Sequence, residues 1–527
     1  MTKLPRLMTK DRICDAVLIP VFSTMQAVAM GLGAFATRDA FAALHTGYPP
    51  DLPVLTQLLG AGLAVALFGW CIKQRAEALG QSYANDLRIT IYRHIAGMDL
   101  TAVEQRRVGA LSLRFVGDLS AARNWFGRGL PLAISAIFVL PGAGAVLWLL
   151  SPHLALAAFL PLAVMAGLTI AIAVGLETRH RTLRSKRATI SISMIERIAV
   201  APMLDLLGRT DKEIETLSEN GQRLRRNSLS RAGLRNGLSG MIEAGAAIAG
   251  VCVLITAGMI GAMTGAVAAA LAMIAILVAP LRELALVWDR YCAWRVAGEK
   301  AQNLLRQDSA NREVSGHGRA VAISVDGPVR LSVAAAARIT LCPHQMPKDA
   351  NILRIMAGLD RNSDFKVRFQ AEGHTVTPRC AYIGDQPAIL QGSLRRALTL
   401  GLHPRPKDRR ICRVLADFDL RHLADGPKGL DRRVAEAGRD LSAPEQVRVE
   451  LARAALARAE VVLIEGSRAV LEPQTERYLD IMQQGTTCTI VLQPMAGLHR
   501  LDSGCVMGHA SPTFLKRKDS LRRRPCA

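Results

Sequence analysis

The sequence predicts an α-helical membrane domain of six spans followed by an α/β cytoplasmic domain. Three observations carry that prediction. Half of the 527 residues are apolar and only 21% are charged, so the mean hydropathy is positive. The apolar residues gather before about residue 290, in long runs of Ala, Leu, Val and Ile between Arg-rich stretches. Beyond a polar stretch, short apolar runs of strand length alternate with helical ones, as in an α/β fold.

The six spans are Val17–Phe35, Val54–Ile72, Leu130–Leu150, Leu154–Leu176, Met241–Met259 and Ala266–Val287. Each is about 20 residues, the length that crosses the hydrocarbon core at about 1.5 Å per residue. No Asp, Glu, Lys or Arg occurs from Leu130 to Leu176, and Ser151-Pro152-His153 breaks that stretch into a tight transmembrane hairpin. The N-terminus has the basic start and apolar run of a signal peptide, but further spans follow, so it reads as a first, uncleaved helix.

Orientation follows from the loops. The segment between spans two and three carries Lys73, Arg75, Arg88, Arg93, Arg106 and further arginines, and that between spans four and five is richer still. The loop between spans one and two holds only Arg38. The positive-inside rule then places the long loops and both termini in the cytoplasm. Both long loops are helix-forming, so the membrane helices extend as rods, interrupted near Gly97-Met98-Asp99 and Ala201-Pro202.

The net charge of +22 would suggest nucleic acid in a soluble protein. Here the cations flank membrane helices, and no base-reading motif or aromatic stacking platform appears, so a nucleic-acid partner is excluded. The lipid bilayer is the expected surrounding. The ten cysteines form no C-x-x-C pair, which argues against a zinc site or a disulfide framework. Charges inside spans are functional candidates: Glu243 in span five, and Arg282-Glu283 near the end of span six, where interface pairing is the simpler role.

Residues 306–318 (RQDSANREVSGHG) form a linker into a domain over 319–509. Val321–Val325, Ile339–Leu341, Ala381–Ile383, Val461–Ile464 and Thr489–Leu492 read as strands; Asn351–Ala357, Pro444–Ala459 and Pro473–Gln484 read as helices. The tail over 510–527 reads as a solvated basic segment, with attraction to anionic lipid as the alternative.

In these residues the chain resembles the ABC exporter family. In the membrane half, RRVGALSLRFVGDLSAARNWFGRGLP and PLRELALVWDRYCAWRVAGEKAQNLL are similar to family stretches. In the soluble half, AYIGDQPAILQGSLRRALTLG resembles the Q-loop segment, and GLDRRVAEAGRDLSAPEQVRVELARAALARAEVVLIEGSRAVLEPQTE runs through signature, Walker B and D-loop. The resemblance implies a type I exporter membrane domain fused to an ABC-type (P-loop NTPase-like) domain. It also implies a half-transporter that dimerises in a bacterial-type inner (plasma) membrane.

Every catalytic motif departs from the family pattern. A Walker A loop needs glycines, whose backbone N–H groups close around phosphates, and a Lys for the β/γ-phosphates. Here CPHQMPKDANILRIMAGL has no Gly before Gly358, places Asp349 where the Lys belongs and Lys348 one residue early, and continues to Asn351. A carboxylate about 4 Å from a phosphate oxygen is repelled by a few kcal/mol at intermediate dielectric. Walker B offers Glu465 then Gly466, so the general base is missing, and Glu465 reads most simply as a strand-end carboxylate capping a nearby loop. The Q-loop reads Asp385-Gln386, the D-loop acid is Glu472, and the switch His is Gln493, which cannot carry a proton. In the signature, Leu441 and Ser442 remain, but Ala443 and Pro444 replace the glycines, and Pro444 has no N–H to donate.

These departures predict a non-catalytic half of an ABC-exporter-like heterodimer without autonomous ATPase activity. An ATPase-competent half-transporter would be its partner, and motion would pass through the rod tips near Met98–Val103 and Ile198–Leu207. No cofactor is expected to bind tightly, and weak ATP/Mg contact is the most the site admits. The alternatives are a membrane scaffold or regulator with no transport role, favoured by the altered signature, and a divergent homodimeric transporter.

Overall fold

The computed structural model describes residues 4–106, 114–174, 190, 193–194, 197–198, 200–309, 316, 318–328, 330–341, 351–465, 474–485 and 488–493. The chain divides into two compact units, Met1–Ala96 with Glu104–Asp308, and Gly97–Val103 with Ser309–Ala527. The second division falls inside the expected linker. The first was not foreseen: a short piece of the first long loop belongs with the C-terminal unit.

The helices before the linker are α1 (Lys10–His45), α2 (Leu52–Ala96), α3 (Leu100–Glu104), α4 (Leu119–Asn124), α5 (Leu130–Leu150), α6 (Pro152–Val174), α7 (Thr210–Ile260), α8 (Thr264–Ala285) and α9 (Val287–Leu305). Among the described residues, six helices are long and apolar enough to cross a membrane. The expected spans fall within α1, α2, α5, α6, α7 and α8, except that α8 stops at Ala285, short of Val287, and that the last two residues of the fourth span, 175–176, lie outside the described residues. At 45 and 51 residues, α2 and α7 far exceed the roughly 20 needed for the hydrocarbon core. Their polar halves are the expected rods.

Ser151 has extended backbone between α5 and α6, and Pro152 opens α6, where its missing N–H costs nothing. The first expected break is present, since α2 ends at Ala96 and α3 begins at Leu100. The second is displaced. Residues 200–206 remain helical through Pro202, and the helix ends instead at Gly208, whose φ of +64° is left-handed. Glycine adopts that conformation without steric cost, so the stop falls to it rather than to the proline.

The membrane unit packs on small side chains. Ala34, Ala143, Ala158, Ala249 and Ala270 are buried together with Leu147, Ile242 and Met273. In a bilayer, close backbone approach supplies the packing that hydrophobicity cannot. α2 closely approaches the π-helical turn Trp125–Gly129, where a Cβ on Gly80 would lie 2.6 Å from the Gly127 Cα. A second π turn, Arg114–Asp118, precedes α4.

The C-terminal unit holds β1 (Ala322–Asp326), β2 (Leu331–Val333), β3 (Arg338–Thr340), α10 (Ile352–Met356), β4 (Lys366–Ala371), β5 (His374–Thr375), β6 (Cys380–Ile383), β7 (Gly392–Ser393), α11 (Leu394–Thr399), α12 (Asp408–Asp417), β8 (Arg433–Val434), α13 (Ala443–Ala457), β9 (Val461–Glu465), α14 (Thr475–Gly485) and β10 (Thr489–Gln493). Two four-stranded sheets form. An antiparallel one is ordered β2-β1-β4-β5, and a parallel one β3-β10-β9-β6. The inner strands β9 and β10 are buried on both faces, which explains their unbroken apolar runs. β2, β4, β5, α11 and α12 were not among the expected elements. Lys366–Ala371 alternates polar and apolar residues as a half-exposed strand does.

Candidate functional site

In an open parallel sheet, ligands bind outside the carboxyl ends of the strands. Here β9 ends at Glu465 and β10 at Gln493, and the two are register partners. α10 lies beside them, capped by Asn351, whose side chain accepts from the Arg354 N–H at 3.2 Å. Three of the expected positions, Asn351, Glu465 and Gln493, therefore belong to this end of the sheet.

Glu465 is already engaged. One carboxylate oxygen accepts from the Asn351 Nδ2, and the other accepts from the Arg354 Nε at 3.2 Å. The same Nε lies 3.3 Å from the Tyr382 hydroxyl, on β6. The Arg354 and Glu465 side chains are only 17% and 15% exposed, so this ion pair is largely withdrawn from water. Two buried opposite charges hold each other strongly once both are desolvated. From sequence Glu465 reads as a strand-end carboxylate capping a nearby loop; in the structure it bonds the N-cap and first turn of α10, and Arg354 went unnoticed. Its signal was present: an Arg three residues after Asn351 sits at the N-terminal turn of the helix.

Gln493 has its side-chain oxygen buried without a hydrogen-bond partner among the described residues. Asp385 and Gln386 are exposed, in the segment after β6. That segment is held by α13. The buried Glu450 accepts from the Ala388 N–H at 2.9 Å, and Arg453 donates to the Ala388 carbonyl at 2.6 Å. Burial lowers the pKa of the Arg453 guanidinium, against the opposing pull of Glu450. Neither residue was singled out from sequence. Lys348, Asp349, Gly466 and Glu472 lie outside the described residues.

Ser442 begins α13 as its N-cap in a reciprocal capping box with Glu445. The Ser442 N–H and hydroxyl both donate to Glu445 Oε2 at 2.7 Å, and His422 Nε2 lies 2.6 Å from Oε1. Pro444 is tolerated because it falls in the first turn, where a helix leaves N–H groups unpaired. Burial alone would raise the Glu445 carboxyl, but the hydrogen bonds from His422 and Ser442 outweigh it and hold it at about 2.

The first expected tip docks within the C-terminal unit. The Leu100 N–H donates to the Leu359 carbonyl at 2.9 Å, and Asp360 accepts from the Thr101 N–H and hydroxyl at 2.9 and 2.6 Å. Arg361 donates to Asp99 at 2.9 Å. The Leu359 N–H in turn donates to the Arg354 carbonyl at 2.8 Å, so the tip is bonded to the helix that grips Glu465. In the second tip, Ile198, Met203, Leu206 and Leu207 are exposed.

The family described as ABC transporter transmembrane region matches residues 17–281, just over half of the chain. The chain is 20% identical over 497 residues to an ATP-dependent lipid A-core flippase of Methylococcus capsulatus, covering 86% of this chain and 81% of that protein. It is 28% identical to P-glycoprotein 14 of Caenorhabditis elegans over 126 residues, 23% of this chain and only 10% of that much longer protein. Similarly, it covers 11% of the ABC-type transporter atr1 of Mycosarcoma maydis, at 26% identity over 27% of this chain. The fold is similar to that of a bacterial Atm1-family ABC exporter with ATP bound. There the TM-score is 0.72 at 15% identity, covering 92% of this chain and 91% of the other. With six apolar helices, a parallel-sheet α/β unit and this match, the chain is a multi-pass membrane protein that belongs to the ABC transporter family and has the ABC exporter fold.

Proposed function

We propose that this chain is the non-catalytic half of an ABC-exporter-like heterodimer, forming part of the translocation path while a partner subunit hydrolyses ATP. One observation carries the proposal: the Walker B carboxylate Glu465 is neutralised from within by Arg354 and bonded to Asn351. A magnesium ion entering that position would meet a guanidinium, and two cations a few ångströms apart repel strongly in a withdrawn site. Gly466 supplies no side chain to polarise water. ATP and Mg²⁺ then bind weakly at most, and the altered site serves as a structural wedge.

The bacterial inner membrane, with both termini on the cytoplasmic side, is the location that the Arg-rich loops support. The test is purification from membranes with and without co-expressed half-transporters. The expected result is no ATPase from the chain alone, activity in a mixed dimer, and none of that activity lost in Glu465→Gln. A pure homodimer turning over magnesium ATP, silenced by Glu465→Gln, would overturn the reading.

The Ser442 capping box favours a second reading, a membrane scaffold or regulator without transport. A serine hydroxyl already committed to Glu445 is a poor contact for a phosphate on another subunit. That reading predicts that ATPase-dead variants of any partner leave the chain's cellular role intact.

A further inference from the structure

Inside the membrane unit, Glu243 of α7 and Arg282 of α8 form an ion pair at 3.2 Å. At about 1.5 Å per residue, each lies roughly 27 Å along its helix from the turn at residues 261–263. A hydrocarbon core is about 30 Å thick, so the pair sits at the core's far edge, at the depth of one leaflet's headgroups. The two side chains are 55% and 48% exposed. At this depth ionisable side chains meet headgroups and water rather than lipid tails.

Arg290 donates to Glu283 at 2.8 Å, so a second neutral pair lies at the α8–α9 junction. The Glu243 contact uses one carboxylate oxygen and one guanidinium nitrogen, while a carboxylate has a second acceptor and a guanidinium several further donors. A ligand bearing only negative charge would satisfy Arg282 and be repelled by Glu243. One bearing only positive charge would do the reverse. A headgroup with both, at a spacing of a few ångströms, satisfies both at once.

We propose that Glu243 and Arg282 form a recognition site for a zwitterionic membrane lipid headgroup, with the phosphodiester on Arg282 and the ammonium on Glu243. The inference rests on the reading that the chain forms part of a translocation path. It does not depend on which subunit hydrolyses ATP. Planar, multi-donor guanidinium suits a phosphodiester, and the ammonium needs only a nearby carboxylate.

The test is photolabelling of the purified full chain in lipid nanodiscs, with no nucleotide present. The probes are phosphatidylethanolamine and phosphatidylglycerol carrying identical chains and a diazirine beside the headgroup, and adducts are mapped by peptide mass spectrometry. The expected result is labelling of residues near Glu243 and Arg282 at least fivefold stronger with phosphatidylethanolamine. Glu243→Gln and Arg282→Gln should each reduce it by about tenfold. The doubly reversed variant, Glu243→Arg with Arg282→Glu, keeps a salt bridge but inverts its polarity against the fixed order of phosphate and ammonium. It should remain monodisperse and fail to recover labelling. Equal labelling by the two lipids, or full labelling in the reversed variant, overturns the proposal, the latter by showing that the pair only holds α7 to α8. Because no ATP turnover is read, an active homodimer would sink the heterodimer reading and leave this result standing.

Discussion

Removing Glu465 should unlatch α10 from the sheet, and the cost follows from the geometry. Glu465→Ala leaves the Arg354 guanidinium largely buried, its side chain being 17% exposed, and also strips the Asn351 amide of its acceptor. Breaking a buried pair by deleting one partner costs about 3–5 kcal/mol. Tyr382 still accepts from the Arg354 Nε at 3.3 Å, which argues for the lower end, about 3 kcal/mol. That corresponds to roughly 150-fold faster opening. Replacing both partners, Arg354→Met with Glu465→Leu, exchanges the pair for apolar contact and should cost no more than about 1 kcal/mol. The assay is amide hydrogen exchange on the full-length protein, read on α10 and β9. The coupling between the two sites should be about 2 kcal/mol or more. A change below about 0.5 kcal/mol for Glu465→Ala, or a double variant as unstable as the single, refutes the claim that the pair is a latch.

The cap of α13 gives a pH test. A Glu445 carboxyl held at about 2, below its ordinary value, adds stability that is full above the ordinary value and lost as pH falls through about 2. Glu445→Gln should flatten that acid dependence in unfolding curves and cost about 1 kcal/mol at neutral pH, a small figure because His422 is half-exposed and screened. Glu450→Ala should cost about 3 kcal/mol by leaving the Ala388 N–H and Arg453 without their buried partner, seen as faster proteolysis after Ile383. Gly80→Ala should separate α2 from the Trp125–Gly129 turn and cost about 2–3 kcal/mol, visible as lost monodispersity on size exclusion. Burial, with Glu460 adding to it, pushes the Cys380 thiol up to about 12, whereas Cys412 is exposed, so maleimide at pH 8 should modify Cys412 and spare Cys380.

The membrane helices were legible because hydrocarbon permits so little. A run such as Leu130–Leu150 without a charge has one stable form, and Ser151-Pro152 marks its end. β9 and β10 were equally plain, being buried on both faces. The antiparallel strands were not, since Lys366–Ala371 shows water one face and carries polar residues at alternate positions. The π turn Trp125–Gly129 left no sequence signal, because it lies where Gly80 and Gly127 bring two backbones together. Of the candidate site, the positions Glu465, Ser442 and Gln493 could be found by register with a family pattern. What occupies Glu465 could not, because Arg354 looks like any exposed helical arginine until β6 and β9 close over it. The misplaced break at Pro202 has a similar origin, since proline weakens a helix but glycine supplies the angle that ends one.

The seven residues from Gly97 to Val103 are covalently an outgrowth of α2, yet they are grouped with the C-terminal unit. Cutting the gene at the linker would therefore not yield a self-sufficient fragment. The Leu359 carbonyl would lose the Leu100 N–H, and the Asp360 carboxylate would lose the Thr101 N–H and hydroxyl. Anyone seeking that half in isolation would do better to graft the loop back, in trans or through a short tether, before judging its behaviour.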